Sequence, residues 1–417
     1  MSAVRDRELY AKLLGIEDPW FVRDVDARLE KSEVEVHIGF EPDARLECPE
    51  CGATCGRYDS RTRSWRHLDT MQYRTVLTAD VPRVNCKTHG VKQVRVPWAE
   101  SGSRFTALFE SLVIDWLSEA SISAVAKMLR MSWDEVDGVM SRAVARGLAR
   151  RESQPLRRIG VDETSFQKRH EYVTVVYDVE RSRVLEVLDG RKQEDLENFF
   201  WDTPLEHIST LEAISMDMWP GYINAVKNHV ESADKKICFD RFHVAKHFGD
   251  GVNRVRTQEA AELRAAGDKT LVGTRYLWLQ NPENMKPDNK TRFETLRDTS
   301  LKVARAWAMK ETARGLWDYS TRGWAQRAWN RLIDWMSRSR LDPMIKVAKM
   351  LREHLWGILN AIALNASNAH LESTNAKIQA LKKRACGYRN RARFRHAILF
   401  HCGRLDLHPQ LAAHTNS

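Results

Sequence analysis

The hydrophobic rhythm of the chain changes several times, and each change marks a different kind of element. Residues 5–14 read as a short helix. Residues 20–40 then alternate polar and apolar positions as two strands, FVRDVDARL and EVEVHIGF, and YRTVLTADV (73–81) reads as another. From Thr106 to Arg150 the period becomes helical. Residues 159–240 return to alternating strands and helices. Residues 250–355 are helical and rich in tryptophan, with Trp278, Trp307, Trp317, Trp324, Trp329, Trp335 and Trp356. The segment after Asn365 is helical again. No internal repeat or low-complexity tract is present.

Within the first helical stretch, Phe109, Leu112, Val113, Trp116 and Leu117 form one apolar stripe. Ser123 to Arg130 predicts a short helix with Val125, Ala126 and Leu129 inward. Met131 and Ser132 form a turn, and Ser132 with Glu135 three residues later makes a capping box for the next helix. This is the layout of a helix-turn-helix, whose second helix enters the major groove. A three-helix bundle that only packs would show the same stripe. Basic flanks (Arg142, Arg146, Arg150, Arg151) favour DNA, and Arg130, Arg142 and Arg146 are the candidate contacts.

In the stretch 157–190, Ile159 and Val161 predict a strand that ends on Asp162. Tyr172 to Tyr177 predict a second strand and Val184 to Leu188 a third. A helix over DLENFFWDTP follows. LEAISMD then predicts a strand ending on Asp217 before a helix that starts near Pro220. KKICFD predicts a strand ending on Asp240, with His243 just beyond. Each aspartate alone also suits an ordinary turn. Three at the ends of apolar strands suit Mg²⁺, which takes hard oxygen ligands. Glu372 is the sole acid between Glu353 and Asp406. It reads either as a salt-bridge partner or as a further ligand for such a site.

Composition narrows the picture. At 417 residues, several domains are expected, and 43% hydrophobic content is enough for packed cores. No apolar run is long enough to span a bilayer, so a cytoplasmic protein without membrane contact is expected. The formal charge is +10, which favours a polyanionic partner. It concentrates between Ala376 and Arg404, where nine Lys or Arg occur without an acid. Lys377, Lys382, Lys383, Arg384, Arg389, Arg391 and Arg393 are the candidate phosphate contacts there. The seven cysteines are an odd number, and four of them (Cys48, Cys51, Cys55, Cys86) crowd into the first quarter. CPEC (48–51) and CKTH (86–89) are two knuckles of equal spacing, each followed by a glycine. They predict one structural Zn²⁺ held by Cys48, Cys51, Cys86 and His89. Cys55 is a spare thiol that could replace one ligand.

The order of zinc knuckles, helix-turn-helix, GVDETS, SMDMWPGY, DRFHVAKH and NAHLESTNAKIQALKKRACGYRNRARFRHAIL resembles the ISL-three family of insertion-sequence transposases over nearly the whole chain. That resemblance implies a DDE transposase with an RNase H-like catalytic domain. By motif, Asp162, Asp217 and Glu372 match the catalytic triad, served by two Mg²⁺ or Mn²⁺ ions. Asp240 and His243 match auxiliary residues beside it, and Asp240 remains a rival to Asp217. The Trp-rich helices match an insertion that some such enzymes carry.

The resulting expectation is a multidomain protein of α+β and α/β class. A zinc ribbon-like β module covers 1–100, a helix-turn-helix 101–152, the first part of the catalytic core 153–250, an all-helical insertion 251–355, and the second part of the core 356–417. The implied partners are terminal inverted repeats and target DNA, with a homodimer or higher assembly on DNA. The competing readings are a non-catalytic zinc and helix-turn-helix repressor, and a junction-cutting nuclease of the same fold.

Overall fold

The structure, a computed structural model, describes residues 6–167, 171–299, 301–366 and 369–410. Ser367 and Asn368, at the start of the last motif, lie outside them. The chain divides into two compact units. One runs to Arg151 and takes in the segment from Leu405; the other is Glu152–Arg404.

In the first unit, α1 (Asp6–Leu14) leads into a five-stranded sheet of β1 (Trp20–Arg28), β2 (Glu33–Phe40), β3 (Arg57–Thr70), β4 (Tyr73–Cys86) and β5 (Gly90–Gln93). The order is β1-β2-β4-β3, with β5 also on β4. Its apolar face buries Val36, Ile38, Leu77, Val81 and Val84 around Trp20, Trp65 and Trp98. These indoles meet edge to face, Trp98 lying 5.0 Å from Trp20 and 5.4 Å from Trp65, the arrangement favoured by ring quadrupoles.

Three helices follow: α2 (Ala107–Glu119), α3 (Ile122–Leu129) and α4 (Trp133–Arg150). Ser121 caps α3. Arg130 ends it in the left-handed region with φ 54°, and Ser132 and Glu135 form the expected capping box on α4. The expected apolar positions Phe109, Val113, Leu117, Val125 and Leu129 are buried, together with Val136, Val139 and Val144 of α4.

The second unit is built on a sheet of β6 (Arg158–Gln167), β7 (Glu171–Asp178), β8 (Arg183–Leu188), β9 (Ala213–Met216) and β10 (Ile237–Phe239), in the order β10-β9-β6-β7-β8. β6, β7 and β8 pair antiparallel, whereas β9 and β10 run parallel to β6. Between β8 and β10 come α5 (Gln193–Asp202), α6 (Leu205–Ser209), α7 (Pro220–His229) and α8 (Ala233–Lys236). Pro220 stands in the first turn of α7, where its missing N–H costs nothing. Beyond β10 lie α9 (Arg241–Ala265), α10 (Arg275–Leu279), α11 (Pro287–Arg297), α12 (Lys302–Gly315), α13 (Arg322–Ser337) and α14 (Asp342–Ala363). The chain then returns with α15 (Ala369–Arg384) and α16 (Arg391–Cys402). One hydrophobic core joins Ile159, Ile214, Met216 and Phe239 of the sheet to Phe248, Trp278, Trp329 and Leu351 of the helices.

One sequence expectation is corrected. The strand carrying Asp162 does not end there but continues to Gln167. Its pairing with the short β9 ends near Gly160 and Ser215, while pairing with β7 carries it on through Asp162↔Val175 to Gln167↔Glu171. A neighbour on one side is enough to keep the polar run ETSFQ extended.

Candidate functional site

The zinc candidate is built by two tight turns. The Gly52 N–H donates to the Cys48 carbonyl at 2.9 Å, and the second knuckle joins β4 to β5. Gly52 and Gly90 have φ of 71° and 68°, the left-handed region that favours glycine. Cys48, Cys51, Cys86 and His89 bring their ligand atoms within 4.8 Å of one another, and among the described residues they are the one such group. Cys51 Sγ lies 3.8 Å from Cys86 Sγ, and His89 Nδ1 lies 3.7 Å from the sulfurs of Cys48 and Cys86. A tetrahedron with Zn–S bonds of about 2.3 Å has edges of about 3.8 Å, so the four atoms fit a zinc ion. Backbone N–H groups of His89 and Thr88 pull the Cys86 thiol down to about 7, which favours the thiolate a metal needs. Cys55 stands outside the quartet, its Sγ 3.3 Å from the Ala53 carbonyl oxygen.

The acids of the second unit meet by register. Gly160 pairs with Ser215, and Phe239 with Met216. One or two residues further along the three parallel strands, Asp162, Asp217 and Asp240 therefore share one row. Neighbouring strands lie about 4.8 Å apart, so the three carboxylates are successive neighbours. His243, in the first turn of α9, ties the row together: Nδ1 lies 3.0 Å from Asp240 Oδ2, and Nε2 lies 3.7 Å from Asp217 Oδ2. Asp240 also caps α9 through the Phe242 N–H at 3.1 Å.

Burial pushes the Asp162 carboxyl up to about 6. His243 and the Glu163 N–H oppose the rise, and the charges of Asp240 and Asp217 add to it. Burial alone would lower His243, but its hydrogen bond to Asp240 and the charges of Asp217, Asp162 and Asp240 outweigh that and raise it. Glu163, next to Asp162, is held elsewhere by the Tyr222 hydroxyl at 3.3 Å and by Arg191 at 3.6 Å.

α15 approaches β6 with one face. Asn375 Nδ2 donates to Asp162 Oδ2 at 2.6 Å, Gln379 Nε2 to Thr164 Oγ1 at 2.7 Å, and Lys382 Nζ to the Ser165 carbonyl at 2.8 Å. Gly160 allows the approach, because a Cβ there would come within 2.2 Å of Leu371. Glu372 lies one turn before Asn375. It is exposed, and it lines the same open cavity as Asp240. Sequence reasoning missed Asn375, although its spacing from Gln379 and Lys382 marks a single helix face.

The candidate DNA contacts divide into two groups. The side chains of Lys377, Lys383 and Arg389 are exposed and, among the described residues, make no ion pair or side-chain hydrogen bond. The others have intramolecular partners. Arg130 pairs with Asp69. Arg142 reaches Glu110 at 2.5 Å, and Arg146, whose side chain is only 8% exposed, binds Glu100 and the buried Glu110. Lys382 is held by β6, Arg384 lies 3.3 Å from His401, and Arg391 pairs with Glu171 at 3.5 Å. Arg393 donates its backbone N–H to Asn390 within the cap of α16.

Comparison with known proteins identifies the family. A family profile described as "Transposase" matches residues 159–398, more than half of the chain. The chain belongs to the ISL3 family of transposases. A profile for the helix-turn-helix domain of transposase family ISL3 matches residues 94–144, and one for the zinc-finger of transposase IS204/IS1001/IS1096/IS1165 matches 45–89. The transposase for insertion sequence element IS1557 of Mycobacterium tuberculosis is 28% identical, with 93% of both chains covered. The transposase for insertion sequence element IS1001 of Bordetella parapertussis is 26% identical over 86% of this chain and 89% of its own. The family's zinc finger spans the Cys₃His quartet, which supports a structural zinc there. The helix-turn-helix domain gives this transposase a DNA-binding part. Among the described residues no helix is long and apolar enough to cross a membrane.

Proposed function

We propose that the chain binds the terminal inverted repeats of its element, cleaves phosphodiester bonds at the ends, and joins the freed 3′ ends to target DNA. The observation that carries this reading is the row of Asp162, Asp217 and Asp240 on three adjacent parallel strands, with α15 laid over Asp162. The strand order β10-β9-β6-β7-β8 supports an RNase H-like core. The helices α9 to α14, placed between β10 and α15, support an all-helical insertion within it.

Three hard-oxygen donors in one row, one of them a buried carboxyl that resists ionisation, fit divalent cations better than they fit one another's charge. Asp162, Asp217 and Glu372 would hold two Mg²⁺ or Mn²⁺ ions. Bound there, the ions would supply activation of the attacking water or 3′-hydroxyl and stabilisation of the leaving oxygen. Asn375 donates to one oxygen of Asp162 and the Glu163 N–H to the other, so the carboxylate is held in orientation from both sides. His243 lies against both Asp240 and Asp217, which supports a positioning role for His243 and Asp240. Lys377, Lys383 and Arg389 offer exposed charge to DNA phosphates. Two ends must be held at once for coupled joining, so the working assembly on DNA is a dimer or larger.

The test is cleavage of DNA carrying the element's ends in Mg²⁺ or Mn²⁺. Alanine at Asp162, Asp217 or Glu372 should slow cutting about a thousandfold or more and leave DNA affinity unchanged in a gel-shift assay. Wild-type cutting by all three variants would sink the assignment.

A further inference from the structure

An open cavity of about 860 Å³ in the second unit is lined by Asp240 and Glu372 on one side and by the turn between α12 and α13 on the other. The site proposed above accounts for Asp240 and Glu372 but not for the aromatic wall. Phe242 is 56% exposed and Tyr319 is 39% exposed, and both line this cavity beside the half-buried Trp317. Solvent-exposed rings gathered in a single concavity mark a binding surface more often than a packing accident. The Phe242 ring lies 5.9 Å from the His243 ring, and His243 in turn touches Asp217 and Asp240. The aromatic wall therefore adjoins the acid row directly.

The charge of the cavity selects its ligand. Asp240, Asp318 and Glu372 outnumber Arg241 in its lining, so without bound cations the cavity disfavours a bare phosphate. A flat, neutral ring that stacks on aromatic side chains is not disfavoured. Every nucleobase offers such a face, and a base attached to a phosphodiester at the acids is within reach of the wall only after leaving its duplex stack. We propose that the cavity takes an unpaired nucleobase next to the bond that is cut, stacked on Phe242 and Tyr319. This rests on the reading of the acid row as the cleavage site.

The experiment uses the full chain and end DNA carrying 5-iododeoxyuridine at one nucleotide at a time around the cut, with irradiation and peptide mapping. One position should crosslink to Phe242 or Tyr319. The paired variant Phe242→Ala with Tyr319→Ala should lose that crosslink and cut paired DNA about tenfold or more slowly. An end mismatched at that nucleotide should recover most of the rate, because its base is already unpaired. Tyr319→Phe should keep both crosslink and rate. A lack of crosslinks to this wall, or equal slowing on paired and mismatched ends, would overturn the proposal. Crosslinking does not require turnover. A chain that crosslinks here but does not cut in Mg²⁺ refutes the proposed chemistry and keeps the base pocket; one that cuts but does not crosslink does the reverse.

Discussion

The zinc quartet and the acid row are both convergences of metal-loving side chains, yet they are built in opposite ways. The quartet is assembled by two turns that bring four atoms to the edge length of a zinc tetrahedron, with the Cys86 thiol already biased towards thiolate. The row is assembled by strand register. Sheet spacing holds its carboxylates apart, a histidine bridges two of them, and an amide on α15 grips the third. Four protein ligands complete a structural ion's shell, whereas a site that must admit substrate keeps positions open. Closure serves stability in the first unit. In the second, the cations and DNA proposed for the site would relieve a buried carboxyl that stands beside two other acids.

Removing zinc should give the largest effect on structure. Structural zinc contributes about 10 kcal/mol or more to small zinc modules. Here the Trp20, Trp65 and Trp98 core is independent of the ligands, so the loss should be local. Chelation, or Cys86→Ser, should remove one bound zinc per chain and strip hydrogen-exchange protection from the two knuckles while protection of β2 and β4 persists. Unchanged protection at both knuckles would mean the turns hold themselves and the contrast with the acid row is false.

The two sites also differ in how far the sequence reveals them, for the same reason. Each zinc pair sits within one turn, so CPEC, CKTH and their glycines declare the site without any knowledge of the fold. The Ser132–Glu135 box is equally local. Asp217 and Asp240 are legible as acids closing short apolar runs. Their alignment with Asp162 is not, because crossovers through α5 to α8 set the register. Asp162 reads in the sequence as a strand end, whereas pairing with β7 extends the strand through the polar run ETSFQ. Basic residues were countable but their partners were not: Glu110, which holds Arg142 and Arg146, lies 32 and 36 residues away. Asn375 was in plain view, but its target, Asp162, is 213 residues distant.

The strain attributed to the acid row can be measured. Burial raises Asp162 from 3.8 in the unfolded chain to about 6. The folded state therefore binds its proton more tightly than the unfolded state does. The associated stability is fully present below about pH 4 and is lost as pH rises through 6. In EDTA at pH 7.5, Asp162→Asn should stabilise the second unit by about 1–3 kcal/mol, the upper figure corresponding to a shift of about two pKa units. The difference between the two proteins in urea titrations should shrink as pH falls towards 4. A destabilised Asn variant at neutral pH would show that Asp162 is comfortable, and the site would lose its distinction from the zinc quartet.

The smallest expected effect falls on Cys55, the thiol nearest to confusing the two designs. If the quartet is closed, a fifth ligand has no place in it, and Cys55 Sγ instead faces the Ala53 carbonyl from a partly exposed position. Cys55→Ser keeps a donor for that carbonyl, so stability should change by less than about 0.5 kcal/mol, and the protein should still bind one zinc with unchanged resistance to chelator. His89→Ala in the same assay should weaken zinc retention, because it removes a ligand that no neighbour replaces. If the Cys55 and His89 variants lost zinc equally, the shell would be shared between them. The first unit would then hold its metal in an exchangeable site, closer in kind to the acid row than its geometry implies.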